Sequence, residues 1–209
     1  SNPKISSANS MLFARANGNA TILPNGEIFI NGGTSFDELN FSNFDAEIYN
    51  PFDEKSKLMS KAYFRRNYHG SSLLLPNGTI LVSGGDVWNS EIFYPPYLFT
   101  KNWDGETVLA SRPRVINLNK TVARGKIEIE LDRNYPLNIG KFTIIPTGSV
   151  THAQGVEPKF RSLKFTKKNK NKFVVEIPEN KNELQNGLYM IFAISMDGTP
   201  SEGKIVNLK

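Results

Sequence analysis

The stretch Ala20-Thr21-Ile22-Leu23-Pro24-Asn25-Gly26-Glu27-Ile28-Phe29-Ile30-Asn31-Gly32-Gly33 returns 52 residues later as Ser72-Leu73-Leu74-Leu75-Pro76-Asn77-Gly78-Thr79-Ile80-Leu81-Val82-Ser83-Gly84-Gly85. In each copy an apolar run meets Pro-Asn-Gly and a second apolar run follows. That pattern reads as a β-hairpin in which Asn-Gly supplies the positive φ angles of a tight turn. The double glycine then ends the second strand. Downstream of each copy lies a third short strand, Glu47-Ile48-Tyr49-Asn50-Pro51 and Glu91-Ile92-Phe93-Tyr94-Pro95, and the glutamate and the aromatic keep the same spacing.

A hairpin plus a third strand, repeated at about 50 residues, is the period of a kelch-type propeller blade. After Pro95-Pro96-Tyr97-Leu98-Phe99 the repeat stops, and Ser111-Arg112-Pro113-Arg114-Val115 opens a different rhythm. Short strand-like runs follow at Lys126–Leu131, Lys141–Ile145, Arg161–Phe165, Phe173–Ile177, Gly187–Ile194 and Lys204–Leu208. Strands at this density, with Gly, Pro and Asn turns between them, predict an immunoglobulin-like β-sandwich. No segment shows a convincing amphipathic-helix period. The expected fold is therefore all-β: residues 1–110 as about two blades of a kelch-type β-propeller, and residues 111–209 as the β-sandwich. Two blades do not close a ring. Residues 10 to 110 are expected to leave unpaired strand edges and a bare apolar face, to be covered by upstream blades on a companion chain, by a partner subunit or by self-association.

Composition narrows the function. The chain has 209 residues, a formal charge of +5 and no cysteine, so it offers no disulfide, zinc knuckle or thiol chemistry of its own. Its lysines concentrate in Lys164-Phe165-Thr166-Lys167-Lys168-Asn169-Lys170-Asn171-Lys172, between two strand-like runs, which reads as a solvated hairpin tip. A nucleic-acid partner would want a basic stripe interleaved with exposed aromatics, a pattern the chain lacks. No apolar run has the length of a membrane span, and the sequence does not open with a secretion signal. Asn-x-Ser/Thr triplets begin at Asn19, Asn40, Asn77 and Asn119, a weak motif in an Asn-rich chain. Glu128, Glu130 and Glu176 alternate with apolar neighbours and read as solvent-facing strand positions.

The two histidines stand in Arg65-Arg66-Asn67-Tyr68-His69 and in Ser149-Val150-Thr151-His152-Ala153. On residue type alone, each reads first as a hydrogen-bonded structural residue, and Tyr68 as a tyrosine packed between blades. Neutral imidazole nitrogens also suit a transition metal.

Taken in order, Arg66-Asn67-Tyr68-His69, Leu74-Leu75-Pro76-Asn77-Gly78, Glu91-Ile92-Phe93-Tyr94-Pro95-Pro96-Tyr97-Leu98, Arg112-Pro113, Ser149-Val150-Thr151-His152, Gly187-Leu188-Tyr189-Met190-Ile191-Phe192 and Asp197-Gly198-Thr199-Pro200-Ser201 resemble the C-terminal half of the copper radical oxidases, the galactose oxidase and glyoxal oxidase family. The resemblance implies a seven-bladed propeller followed by an immunoglobulin-like domain that sends one loop through the propeller axis. It implies His69, from a late blade, and His152, from that loop, as neutral ligands of one copper ion. Tyr68 would be the axial tyrosine, a metal ligand and the base that takes the proton of the bound alcohol. The implied activity is oxidation of primary alcohols or aldehydes by O2 with release of hydrogen peroxide, in a secreted or extracellular enzyme. The family's crosslinked Tyr-Cys pair is absent from this cysteine-free chain and would have to lie upstream. Arg15-Ala16-Asn17-Gly18 occupies the first-blade position matching Arg66-Asn67-Tyr68-His69, without a Tyr-His of its own. Two alternatives stay open: a non-catalytic carbohydrate- or surface-binding module derived from that family, and a structural zinc or other ion held by Tyr68, His69 and His152.

Overall fold

The computed structural model describes residues 5–35, 41–85, 87–136, 138–148, 150–151, 154–155 and 158–209. Four strands, β1 (Asn19–Ile22), β2 (Ile28–Asn31), β3 (Glu47–Asn50) and β4 (Lys55–Leu58), form an antiparallel meander in that order. The second copy of the repeat gives a three-stranded meander of β5 (Gly70–Leu74), β6 (Ile80–Gly84) and β7 (Glu91–Phe93). A single 3-10 turn at Pro96–Leu98 leads into a small hairpin, β8 (Phe99–Lys101) with β9 (Thr107–Leu109).

The hairpin expectation holds, but the turn chemistry differs. In each turn only the glycine is left-handed, Gly26 at φ 92° and Gly78 at φ 82°. Gly26 N–H donates to Leu23 O and Gly78 N–H to Leu75 O, a turn with proline at its second position followed by a left-handed glycine. The asparagine works through its side chain: Asn25 Oδ1 accepts from Glu27 N, and Asn77 Oδ1 accepts from Thr79 N and Thr79 Oγ1. Asparagine thus satisfies the backbone of the turn, and glycine alone supplies the unusual φ.

The two meanders stack head to tail. The face of the first carrying Thr21, Phe29 and Ile48 meets the face of the second carrying Ser72, Ile80, Val82 and Phe93. Phe29 and Phe93 stack at 4.3 Å, and Thr21 Oγ1 bonds Ser72 Oγ at 2.8 Å. Burying each such aliphatic or aromatic side chain contributes about 1.5–3 kcal/mol.

The rest of the chain forms one curled eight-stranded sheet. Its strands are β10 (Val115–Asn117), β11 (Thr121–Val122), β12 (Gly125–Leu131), β13 (Ile139–Pro146), β16 (Arg161–Lys167), β17 (Lys172–Ile177), β18 (Gly187–Ser195) and β19 (Lys204–Leu208), in the order β10-β12-β17-β16-β13-β18-β19-β11. β14 (Val150–Thr151) and β15 (Gln154–Gly155) form a separate hairpin between β13 and β16. β16 causes the curl by changing partner along its length: Arg161–Leu163 pair with β13, and Lys164–Lys167 pair with β17. The sheet thereby folds over a shared interior that contains Ile129, Leu131, Phe142, Ile144, Phe173, Val175 and Ile191. This is the immunoglobulin-like arrangement expected for the second half. The lysine-rich stretch spans β16, a tight turn and the start of β17, and Lys168 and Lys172 pair there with Glu128.

Both Pro-Asn-Gly turns dock on this sheet. Lys141 Nζ donates to Asn25 O at 2.7 Å and Thr143 Oγ1 to Pro24 O at 2.9 Å. At the second turn Gly203 N donates to Pro76 O and Tyr97 OH to Gly78 O. Arg112 reaches the carbonyls of Pro200 and Ser201 from the same side. Burial lowers the pKa of Arg112, partly offset by the charges of Glu202 and Tyr97. A shared apolar patch of Leu74, Ile145, Met190, Phe192 and Ile194, with Ile22 and Phe160 against it, completes the joint.

Candidate functional site

Tyr68 and His69 sit where the chain enters β5, and the residues on either side determine how they are presented. Arg66 is 1% exposed. Its Nη1 donates to Gly84 O at 3.0 Å, and its Nη2 donates to Asn89 O at 2.7 Å and lies 3.4 Å from Glu91 Oε2. Glu91 also accepts from the backbone N–H groups of Tyr63 and Phe64. The guanidinium lies 5.7 Å from the Phe64 ring, within range of a cation–π contact. One pair, a buried arginine and a partly exposed glutamate, therefore ties the entry segment to β6 and β7.

Beyond this clamp the chain makes a turn in which Gly70 N–H donates to Asn67 O at 2.8 Å. His69 follows in the left-handed region, φ 62°, and its carbonyl accepts from Gly85 N–H. That conformation is found in only a few per cent of non-glycine residues, with asparagine, aspartate and histidine enriched among them, and it clusters at functional positions. The turn leaves Tyr68 and His69 exposed side by side, their ring centroids 4.0 Å apart and tilted 37°.

The first meander has the same clamp. Arg15 pairs with Glu47 at 3.3 Å and donates to Gly32 O and Asp45 O, with the Phe13 ring 5.6 Å from its guanidinium. Burial pulls the pKa of Arg15 down, against the raising effect of Glu47. The left-handed residue there is Asn17, φ 57°. Because Asn17 precedes Gly18 as His69 precedes Gly70, Asn17 is the counterpart of His69. One residue, Ala16, separates Arg15 from Asn17, whereas Asn67 and Tyr68 both separate Arg66 from His69. The structure thus shifts the sequence match by one position and shows an insertion in the second copy. The clamp itself escaped the sequence reading, although Arg15 with Glu47 and Arg66 with Glu91 are visible in both copies.

His152 lies outside the described residues. The strands that flank it, β14 and β15, lie against β5 and β1, so this separate hairpin between β13 and β16 is brought to the strand that begins one residue after His69. Among the described residues no group of three or more His, Cys, Asp or Glu is placed to hold a metal. A phenol oxygen and an imidazole nitrogen are nevertheless donors that suit Cu(II), and both residues are exposed. Tyr68 and His69 fit as part of a copper ligand set that needs at least one further donor.

Known proteins share this architecture. Residues 112–208 match the model of the galactose oxidase-like early set domain. Galactose oxidase of Gibberella zeae is 27% identical over 96% of this chain, and that alignment covers 30% of the relative. Aldehyde oxidase GLOX1 of Arabidopsis thaliana is 25% identical over 93% of the chain and 36% of the relative. The chain thus spans about a third of the length of these curated relatives. A fungal alcohol oxidase of the AA5 family, solved in complex with copper, superposes with a TM-score of 0.87 at 22% identity over 99% of this chain and 45% of that chain, and so shares the fold.

Proposed function

We propose, on the premise that this chain is homologous to the C-terminal portion of galactose oxidase and of the aldehyde oxidase GLOX1, that it supplies part of the active site of a secreted copper-dependent oxidase. The observation that carries this reading is the Tyr68–His69 tip, held at a left-handed turn beside the strands against which the His152 hairpin lies. His69 and His152 would hold the ion through neutral imidazole nitrogens, and Tyr68 through its phenol oxygen. Copper, when bound, supplies an electron acceptor and orients the substrate oxygen. Tyr68 takes the hydroxyl proton of the alcohol as general base. Overall a primary alcohol loses two hydrogens to become an aldehyde, and O2 takes them up as hydrogen peroxide.

The chain does not complete this site alone. It has no cysteine, so a Tyr-Cys crosslink must come from upstream sequence. Head-to-tail stacking supports a need for further blades. The row Leu73, Leu81 and Ile92 on the outer face of the second meander is equivalent to Thr21, Phe29 and Ile48, the row by which the first meander holds the second. A heterologous contact of this kind leaves two complementary faces unused, one at each end, until a ring closes.

Native mass spectrometry of this chain together with its upstream segment, followed by peroxide assays over alcohols and aldehydes, tests the proposal. One copper per protein and peroxide release are expected, with His69→Ala and His152→Ala losing the metal. Tyr68→Phe should keep copper and lose roughly 10²–10⁴-fold in kcat. A copper-loaded protein that oxidises nothing in the panel would leave a binding module instead.

A further inference from the structure

Behind the tip, the seam between the two meanders contains polar atoms without a protein partner. Asn19, Asn31, Thr34, Arg66 and Asn67 are each at most 3% exposed. Among the described residues, Asn19 Nδ2 and Oδ1, Asn31 Oδ1, Thr34 Oγ1, Asn67 Oδ1 and Arg66 Nε are sealed from solvent and make no hydrogen bond.

The fold gathers these residues. Asn19 and Asn31 stand opposite one another on β1 and β2, on the face that Thr21 turns toward Ser72. A Cβ placed on Gly70 would lie 3.1 Å from Asn19 Nδ2 and 2.8 Å from Asn67 O, so the Asn19 amide reaches the turn that carries Tyr68 and His69. Thr34 stands opposite Ser42, whose hydroxyl takes a hydrogen bond from Asn67 Nδ2 at 3.0 Å. Gly33 N–H donates to Arg66 O and closes the seam from the side of the first meander.

A buried polar atom left unpaired costs on the order of 1–3 kcal/mol, so a group of them calls for an enclosed partner. No segment from outside the chain can provide it, because these atoms are already covered. We infer that the seam is a binding site for internal water, a small cluster that joins Asn19 and Asn31 of the first meander to Asn67 at the root of the tip. The mixture of groups selects water. Asn19 Nδ2 and Arg66 Nε are donors, whereas the amide oxygens of Asn19, Asn31 and Asn67 are acceptors, and Thr34 Oγ1 can act as either. Water serves both kinds, typically making about three hydrogen bonds when buried. A hard cation such as calcium takes oxygen ligands and is repelled by the N–H groups and by the Arg66 charge. This inference holds whether or not the chain takes part in an oxidase.

A crystal structure of the chain at about 1.5 Å, with side-chain amide NMR of the 15N-labelled protein, tests it. Water oxygens are expected within about 2.7–3.2 Å of the Asn19 and Asn67 side chains. The Asn19 amide protons should show a through-space cross-peak to a long-lived water. Direct protein partners for both asparagines, absence of that cross-peak, or a density with oxygen contacts near 2.3–2.6 Å, the range of calcium, would each overturn it.

Discussion

The two meanders close on the same arginine–glutamate pair, Arg15 with Glu47 in one and Arg66 with Glu91 in the other, and both place a left-handed residue just before the first strand. They differ by one residue between the arginine and that position, and by what occupies it. The first has Ala16 and Asn17; the second has Asn67, Tyr68 and His69. Asparagine visits the left-handed region most readily of the non-glycine residues, because its short side chain bonds the local backbone, and histidine is enriched there as well. The repeated clamp and left-handed position therefore read as scaffold, and the Tyr68–His69 pair, for which the first meander has Ala16 and Asn17, as the part shaped by something other than folding.

The clamps should respond unequally when broken. Glu47 and Arg15 have side chains 0% and 1% exposed, whereas Glu91 is 22% exposed beside a buried Arg66. Glu47→Ala leaves a guanidinium sealed in the interior with only the Gly32 and Asp45 carbonyls and no counter-charge in the pair, and is expected to cost about 3–5 kcal/mol. Glu91→Ala leaves Arg66 its bonds to Gly84 O and Asn89 O and a path to water, for a loss of about 1–2 kcal/mol. Urea unfolding midpoints check the difference, and equal losses would mean that the two clamps are energetically alike.

The paired glycines sharpen the comparison at smaller cost. Gly32, φ 67°, and Gly84, φ 74°, occupy equivalent positions, and a Cβ on either would meet a backbone carbonyl, Arg66 O at 2.4 Å or His69 O at 2.5 Å. Alanine at either site is expected to destabilise by about 1–3 kcal/mol. Only Gly84→Ala presses on the His69 carbonyl, so of the two it should lose more copper in the complete protein. Metal analysis at matched folded fractions measures this, and equal copper loss would separate His69 placement from β6.

Much of this arrangement could be read from the sequence. The 52-residue repeat and its Pro-Asn-Gly turns fixed both hairpins, and period-two alternation located the long strands of the curled sheet. Such signals are local: strand pattern and turn chemistry are properties of neighbouring residues. The clamp and the water-binding seam depend on residues distant in the chain meeting across strands, as Arg15 meets Glu47 and Asn19 meets Gly70, which periodicity does not encode. Short edge elements such as β4, with the sequence Lys55-Ser56-Lys57-Leu58, carry too few apolar residues to announce themselves. Of the candidate site, the adjacent Tyr68 and His69 hold their rings 4.0 Å apart, and the strands flanking His152 lie against β5 and β1.

The smallest effect separates scaffold from chemistry most directly. Replacing His69 by glycine relieves a left-handed conformation worth about 1–2 kcal/mol in an ordinary residue and gives back about 0.5–1 kcal/mol through the entropy of the unfolded chain. The net expectation is a gain of about 0.5–1 kcal/mol. Asn17→Gly should change stability by less, because asparagine already accepts that region. In the complete protein, His69→Gly should abolish copper loading while Asn17→Gly leaves it intact. A more stable variant without metal would show His69 held in a conformation that folding alone does not favour. A His69→Gly variant that unfolds more easily would instead make the imidazole part of the scaffold, and the two tips would then differ only in sequence.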